Sequence, residues 1–443
     1  MEQQHARAEM ITTMNTHSPS QPETGYIDVT GGRLYYEAAG SGPTLVLLHA
    51  GIADLRLWEP QWQDFCSHYH VVRYDLRGYG RSTSEPLPYA NEEDLHALFQ
   101  ALGIARAHLL GASFGGRVAI DFALQYPALV DGLVLLAPAL GGYPLSGALD
   151  AADAAIEAAF AAGDFVRAAE IDLEVWLAGP RRNLADLPAA LRATAHTLAE
   201  GVYQAAAAHG APGQLQRLEP PAMRRLERLL APTLLLVGAE DQPDMLAIAG
   251  TLEARVGELQ RITLPDTGHL PNLERPLETT AAVLAFLQRL DASAVELRPL
   301  TADNWEAAVN LRVADDQSAL LESNAVSIAE SRFHPWMLPL ALYHEEEMVG
   351  FTMFSQYPDP REGHHWVHRF MIDRRHQGRG FGRAGMRAVV QYMAAIPGCD
   401  EIWIGYDRDN RAAARLYRAV GFRETGPAPW EGRDLAAVRK LTA

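Results

Sequence analysis

The chain has 443 residues, 48% of them hydrophobic, enough for two or three domains with a core in each. Its 38 basic and 55 acidic residues leave a net charge of −17, which disfavours nucleic acid and anionic membranes as partners. No apolar run is long enough for a membrane span, and Cys66 and Cys399 stand far apart, so a reduced, cytoplasmic protein without a cysteine metal site is expected.

The charge is uneven. From residue 293 onward there are 20 acidic and 18 basic residues, so the first 292 carry about −15. Lys440 is the only lysine, which together with the abundant alanine fits a GC-rich bacterial genome.

Residues 1–24 lack the apolar core of a signal peptide and read as a disordered leader. YIDVTGGRLYYEAAGSG (26–42) predicts an antiparallel hairpin. TLVLLHA (44–50), HVVRYDL (70–76), AHLLGAS (107–113), GLVLLAP (132–138), TLLLVGA (233–239) and QRITLPD (260–266) follow. These near-continuous aliphatic runs predict buried parallel strands, and the helical segments between them predict a doubly wound, mostly parallel α/β sheet. Between 141 and 228 the strand rhythm stops, and alanine-rich stretches at helical spacing predict a cap lying over the sheet. LETTAAVLAFLQRL (277–290) is the last helix of this unit, and DASA (291–294) is a short linker.

LLGASFGG sets Ser113 in G-x-S-x-G between an apolar strand and a helical segment. A nucleophile on so tight a turn needs small neighbours, because helix and strand approach closely there. A serine hydroxyl also needs a histidine to accept its proton and a carboxylate to fix the histidine tautomer. The strand TLLLVG ends in AEDQPD, offering Glu240, Asp241 and Asp244, and RITLPD ends in TGHLPNLERP, offering His269. All these groups fall at carboxyl ends of strands, where such sheets bind ligands.

LLHAGIADLRLW, RYDLRGYGRS, GASFGG, VGAEDQPD and DTGHLPNLERP occur in the order found in α/β-hydrolases, and residues 25–292 resemble that family. The resemblance implies a triad of Ser113, Asp241 and His269, oxyanion donors at the backbone N–H groups of Phe114 and Gly51, and no cofactor. One departure is His49-Ala50, where the family pattern has His-Gly. His49 reads as a turn residue and Arg77 and Arg81 as loop-holding cations, while Trp58 and Trp176 fit either pocket lining or core packing. HAGIADLRLWEPQ and EVWLAGPRRN resemble the 3-oxoadipate enol-lactonase-like branch, so hydrolysis of an ester or lactone is expected.

After the linker the pattern changes. VELRPL, helices from Asn304 to Asp316 and around Leu320–Ser331, and a hairpin turning at HEEE lead into the strand HHWVHRFMID. RRHQGRGFGRA (374–384) comes next, then the helix GRAGMRAVVQYMAA, the strand EIWIGYD and the helix NRAAARLYRAV. The glycine turn has neither the G-K-[ST] of a Walker loop nor a full G-x-G-x-x-G. Its successive N–H groups at a helix start make a nest for a diphosphate, with Arg375, Arg379 and Arg383 to add charge-assisted contacts.

Gln377-x-x-Gly380-x-Gly382 and the Asn410 to Tyr417 segment resemble the GNAT superfamily of N-acetyltransferases over residues 295–443. The resemblance implies a smaller α+β unit with a mixed, mostly antiparallel sheet and acetyl-CoA as acyl donor. The cofactor residues it implies are Met371, Ile372, Gln377, Gly378, Arg379, Gly380, Phe381, Gly382, Arg383 and Asn410, with Tyr417 protonating the departing thiolate. NWEAAVNLRVADDQ, SNAVSIAESRF, EEMVGFTMF and WVHRFMIDRRHQGRGFGR resemble the spermine/spermidine (diamine) acetyltransferase branch. Asp315, Asp316, Glu322 and Glu330 on the early helices are candidates to hold the amine, a solvated acidic face being the alternative. Asp373, His368 and Tyr406 are candidate bases with nothing to choose among them. His364, His365 and His368 share a strand, and an ordinary strand surface is favoured over a metal site.

The expectation is a bifunctional enzyme acting on small molecules: a Ser-His-Asp hydrolase joined to an N-acetyltransferase of an amine, a polyamine among the candidates. In the alternative, one unit is catalytic and the other binds or regulates. A homo-oligomer is compatible with the sequence.

Overall fold

The computed structural model describes residues 22–210, 213–359, 363–430 and 432–441. Two sheets organise them. The first contains β1 (Glu23–Val29), β2 (Gly32–Ala39), β3 (Thr44–Leu48), β4 (His70–Tyr74), β5 (Thr83–Ser84), β6 (Ala107–Ala112), β7 (Val130–Leu136), β8 (Thr233–Gly238) and β9 (Leu259–Leu264). Their order is β1-β2-β4-β3-β6-β7-β8-β9, with β5 beside β2. The β1–β2 hairpin is antiparallel, β2 joins β4 antiparallel, and every later pair is parallel.

Alternate residues of one strand feed two cores. Val46 and Leu48 point to a core shared with the helices Asn91–Ala101, Phe114–Gln125 and Pro243–Arg255. Leu45 and Leu47 point to the other, shared with the helices Glu59–Cys66 and Pro276–Asp291. A strand buried on both faces has no polar alternation to show, which is why the central segments read as continuous aliphatic runs. β9, expected to be buried like them, is instead the edge strand, and none of its residues is buried. The expected leader lies outside the described residues as far as residue 21, and Glu23 and Thr24 already belong to β1.

Between β7 and β8 the cap contains the helices Asp150–Ala161, Phe165–Asp172 and Ala189–His209, with a π-helical turn at Leu173–Ala178. Trp58 is wholly buried in the core beside Leu57 and Phe65, so packing is its role.

The second sheet contains β10 (Glu296–Pro299), β11 (Met337–His344), β12 (Glu347–Ser355), β13 (His365–Ile372), β14 (Glu401–Asp407), β15 (Arg423–Pro427) and β16 (Asp434–Lys440). The order is β10-β11-β12-β13-β14-β16-β15, antiparallel except at β13–β14. That parallel pair holds only from His365 to Val367 against Ile402 to Ile404, after which the two strands carry no mutual ladder bonds. The helix expected over 304–316 spans only Trp305–Asn310, because the Arg312 amide donates to Asp373 Oδ2 (2.9 Å) instead of continuing the helix. The next helix is Asn324–Phe333, its start set by the Ser323 hydroxyl accepting from the Val326 amide at 3.3 Å.

The two units touch along one side. Arg387 Nη1 donates to Glu258 Oε1 at 2.9 Å, and the buried Arg439 donates to the carbonyl oxygens of Val420 and Leu229. A crevice of about 990 Å³ separates His108 and Asp291 from His344 and Tyr392. Among the described residues no helix is long and apolar enough to cross a membrane.

The loop after β4 is fixed by a buried fork: Arg77 Nε and Nη2 donate to both Asp94 oxygens at 2.7 and 2.6 Å, and Nη1 donates to Gly31 O at 2.6 Å. Replacing Asp94 by alanine strands a buried guanidinium, for which a loss of about 3–5 kcal/mol is expected. A lowered urea midpoint for the first unit checks it, and an unchanged midpoint contradicts it.

Candidate active sites

β6 ends in Ser113, which has φ 49° and ψ −111° and precedes the helix Phe114–Gln125. Few non-glycine residues sit at such a φ, and strain of this kind persists only where surrounding packing dictates it. The packing is plain. A Cβ on Gly111 would stand 2.5 Å from Gly115 O, and one on Gly115 would stand 2.3 Å from Leu48 O. Main chain presses on main chain at both glycines, so no side chain fits.

His269 Nε2 lies 2.8 Å from Ser113 Oγ, and His269 Nδ1 lies 3.0 Å from both oxygens of Asp241. An ionised carboxylate only accepts, so Nδ1 carries the proton and Nε2 is left to accept from the hydroxyl. Asp241 and His269 are buried, and Ser113 is partly open. Of the three carboxylates after β8, Asp241 alone meets the histidine. Glu240 pairs with Arg181 at 2.7 Å, and Asp244 accepts from Ser146.

The His269 loop is clamped from beneath. Glu274 accepts from the Gly268 amide at 2.9 Å and is itself bound by Arg182 of the cap at 2.8 Å. Above, the Trp176 ring lies 4.5 Å from the His269 ring, and Trp176 O accepts from the His269 amide. Trp176 therefore lines the site.

Gly51 and Phe114, expected as oxyanion donors, adjoin each other: a Cβ on Gly51 would lie 3.5 Å from Phe114 Cβ and 3.7 Å from the Tyr79 hydroxyl. Neither amide has a backbone acceptor among the described residues. Ala50, in place of the family's glycine, is buried in the core, one residue before the loop that faces Ser113. His49 accepts from the Leu76 amide at Nε2 (2.9 Å), so its Nδ1–H donates to Ala50 O (2.8 Å). Burial pushes its pKa down to about 4, and it stays a neutral brace between the ends of β3 and β4. Arg81 stacks on Tyr35 and its amide donates to Asp75, so both arginines of this loop hold structure. Tyr79, in the same RYDLRGYGRS motif, went unmarked in the sequence because a tyrosine between two glycines carries no signal of which way it points.

In the second unit, Gly378 and Gly380 have φ of 77° and 93°, in the left-handed region that suits glycine. Gly378, Arg379 and Gly380 are exposed, and the amides of 378–382 have no backbone acceptor among the described residues. A Cβ on Gly378 would meet nothing within 4 Å. Open amides at the start of the helix Phe381–Ala394, beside two strands that part after Val367 and Ile404, fit a diphosphate with an extended arm. Gln377 closes the turn, its Nε2 donating to Ile372 O at 3.0 Å and Gln317 Oε1 at 2.9 Å. Met371, Ile372 and Phe381 are buried; Gly382 is partly buried; Arg379 lies over the Phe381 ring and Arg383 reaches toward Glu258 at 3.8 Å.

Asn410 Oδ1 caps the helix Arg411–Ala419 through the Ala413 amide (3.0 Å), which leaves its Nδ2 for a ligand. Tyr417 is buried against Tyr406 and Phe422, and its hydroxyl has no hydrogen-bond partner among the described residues. Burial, then the neighbouring Tyr406, raises its pKa, so it holds its proton.

The candidate bases differ sharply. Asp373 accepts from the amides of Arg312 and Arg375 and from Arg375 Nε. Burial works to raise its pKa, but Arg375 and those amides outweigh it and hold the carboxyl below the usual range. It is a lock rather than a free base. Tyr406 donates to Glu424 at 2.9 Å, and burial and that carboxylate push its pKa up to about 12. His368 Nε2 lies 2.9 Å from Ser355 Oγ, on β13. His364 pairs with Glu401 and His365 with Ser355 O, and among the described residues no three His, Cys, Asp or Glu side chains are grouped to hold a metal.

Asp315 and Asp316 lie on the 3-10 turn Asp315–Gln317 and Glu322 on the loop after it, all exposed, rather than on the helices expected to carry them. The early end of the preceding helix at Asn310 leaves out Asp315 and Asp316, and the start of the next helix at Asn324, behind the Ser323 cap, leaves out Glu322. Asp315 pairs with Arg374 at 3.4 Å, and the part-buried Glu330 pairs with Arg369 of β13 at 3.3 Å.

The family model described as the Alpha/beta hydrolase family matches residues 45–283, and that of the Acetyltransferase (GNAT) family matches residues 300–422. A spermine/spermidine N(1)-acetyltransferase of Bacillus subtilis (strain 168) is 32% identical over 145 residues, 32% of this chain and 95% of that protein. A 2-hydroxy-6-oxo-6-phenylhexa-2,4-dienoate hydrolase of Comamonas testosteroni is 30% identical over 119 residues, 25% of this chain and 42% of that protein. Among solved structures, naproxen esterase of Bacillus subtilis is 21% identical with a TM-score of 0.50, covering 60% of this chain and 92% of its own, a likeness of fold.

Placing alanine at Gly115 should drive its methyl into the Leu48 and His49 carbonyls, displace Ser113 and destabilise the first unit by about 3 kcal/mol. Thermal unfolding reads the loss, and a wild-type melting temperature contradicts it.

Proposed function

From a chain that belongs to the Alpha/beta hydrolase family and, behind that unit, to the Acetyltransferase (GNAT) family, we propose a bifunctional enzyme: a serine hydrolase of a carboxylic ester or lactone joined to an acetyl-CoA-dependent acetyltransferase of an amine. The observation that carries the first half is the unbroken chain of hydrogen bonds from Ser113 Oγ through His269 to Asp241.

In this reading His269 Nε2 takes the hydroxyl proton as Ser113 Oγ attacks the substrate carbonyl. The new oxyanion faces the amides of Gly51 and Phe114, which have no other backbone acceptor to give up among the described residues. Asp241 stabilises the imidazolium that forms. His269 then hands its proton to the leaving oxygen, the C–O bond breaks, and an acyl-Ser113 ester remains. Water, deprotonated by His269, attacks that ester and frees the acid, and Ser113 regains its proton.

For the second half, the turn at Gly378–Gly382 would hold the diphosphate of acetyl-CoA through open amides, with Arg379, Arg383 and the free Nδ2 of Asn410 at hand. When bound, the thioester supplies an activated acetyl group. Tyr417 holds a proton to give to sulfur as the thiolate leaves, and burial that disfavours the phenolate keeps that proton in place. The relation to a spermine/spermidine acetyltransferase favours a polyamine as acceptor. The part-buried Glu330 is better sited than the exposed Asp315, Asp316 and Glu322 to take an ammonium group, although Arg369 shares it.

A fluorophosphonate probe should label Ser113, and His269→Ala should slow labelling about 1,000-fold. A folded chain left unlabelled would overturn the hydrolase half. With spermidine as acceptor, Tyr417→Phe should lower kcat about 100-fold while the KM for acetyl-CoA holds within about twofold. Turnover of monoamines alone would exclude the polyamine and leave the acetyltransferase.

A further inference from the structure

We propose that the hydrolase pocket selects substrates that carry a cationic amine or ammonium group, held by the carboxylate of Asp172 beneath the cap; this deepens, and rests on, the assignment of Ser113 as nucleophile.

Asp172 ends the cap helix Phe165–Asp172 and is 4% exposed. Its Oδ2 accepts the Tyr203 hydroxyl, while Oδ1 has no hydrogen-bond or ion-pair partner among the described residues and is not among the atoms sealed from solvent. Several buried carboxylates of the same unit meet an arginine, Glu37 with Arg73, Asp94 with Arg77 and Glu274 with Arg182, and Asp75 instead has both oxygens taken by the Leu55 and Arg81 amides. A buried, uncompensated carboxylate is costly, and proteins keep such a group where a ligand completes it.

Its neighbours locate it over the serine. Trp176, four residues on in the π-helical turn Leu173–Ala178, has its ring 4.5 Å from the His269 ring. From below, the Tyr79 hydroxyl stands 3.7 Å from the Cβ position of Gly51 and has no hydrogen-bond partner among the described residues. Burial is the first cause raising the pKa of both phenols; the Asp172 charge follows it at Tyr203, whose hydroxyl bonds the carboxylate, and follows Tyr89 at Tyr79. Burial holds the Asp172 pKa up at about 6 against the Tyr203 hydrogen bond, which lowers it, with Asp153 adding to the rise; a cation bound beside the carboxylate would favour its ionised form.

A carboxylate hydrogen-bonded to the Tyr203 phenol, on the cap turn whose Trp176 ring lies against His269, suits a cation: the carboxylate supplies charge, and aromatic rings of the site add cation–π attraction. The charge of about −15 on the first 292 residues draws cations toward the same unit. A neutral acyl or alkoxy group of equal shape would gain the aromatic contact and leave the carboxylate unpaired.

Choline and its uncharged isostere 3,3-dimethylbutan-1-ol separate charge from shape. Each is titrated against fluorophosphonate labelling of Ser113 in the full-length chain. Choline should protect at a concentration at least about 10-fold below that of the alcohol. In Asp172→Asn the two should protect equally, whereas in Tyr203→Phe, which keeps the carboxylate, the preference for choline should survive. Equal protection by both compounds in the wild-type chain overturns the proposal, as does an undiminished preference in Asp172→Asn. The wild-type comparison stands whether or not the asparagine variant folds. A folded chain that takes no label without protectant overturns the serine assignment itself, and this proposal with it.

Discussion

The helix that follows Ser113 runs so close to the end of β3 that residue 115 and residues 48 and 49 touch through their main chains. A Cβ at 115 would lie within 2.5 Å of two carbonyl oxygens, and the Gly115 amide donates to one of them at 3.1 Å. This contact sets the entry angle of the helix, and the entry angle holds Ser113 at a positive φ with its hydroxyl out of the sheet and toward His269. The same contact brings Phe114 against Gly51, so Ser113 and the two amides proposed to face the oxyanion are located by one packing event. His49 supports it from behind. Neutral and doubly bonded, it ties the end of β3 to the end of β4 and so fixes the loop that carries Tyr79.

Much of this was legible in the sequence, for a physical reason. Parallel strands buried on both faces are aliphatic throughout, and ligands meet such sheets at the carboxyl ends, so Ser113, His269 and three carboxylates stand out by position and residue type, while Asp241 is singled out among Glu240, Asp241 and Asp244 by the family resemblance. The cap was legible only as helical, because alanine-rich segments state a propensity without saying which face they bury. Asp172 and Tyr203 were therefore invisible: each is an ordinary residue of an amphipathic stretch until tertiary packing turns it inward. In the second unit the glycine turn and its helix were clear. The early end of the helix at Asn310 was not, since it depends on a bond to Asp373, 61 positions away. Tertiary capture of one amide overrode local preference, and the acidic residues assigned to that helix moved to an exposed turn.

The contact between the units involves the helix that carries the proposed cofactor turn. Glu258, at the foot of β9, binds Arg387 on the helix that opens from the glycine turn and lies 3.8 Å from Arg383. Gly380 would place a Cβ 3.1 Å from the side chain of Ser293, in the linker itself. Arg439, whose pKa burial lowers to about 10, crosses from the second sheet to Leu229 O. A buried guanidinium bonded to carbonyl oxygens of both units resists their separation, because parting them would leave it with half its acceptors.

The two glycine-rich turns solve opposite problems with one residue type. At 111 and 115 glycine is required because there is no room: backbone atoms occupy the place of a side chain, and any substitution meets a carbonyl. At 378 a Cβ would meet nothing within 4 Å, and glycine suits the position by conformation, since φ of 77° lies in the left-handed region. Crowding fixes Ser113, because its strained conformation is held by main-chain contacts that cannot relax, and this rigidity suits the nucleophile proposed there. Openness suits the anion site proposed at the second turn, because amides without a backbone acceptor among the described residues are disposed to bind oxygen from a ligand. The first proposal depends on atoms already in contact, and the second on donors left open.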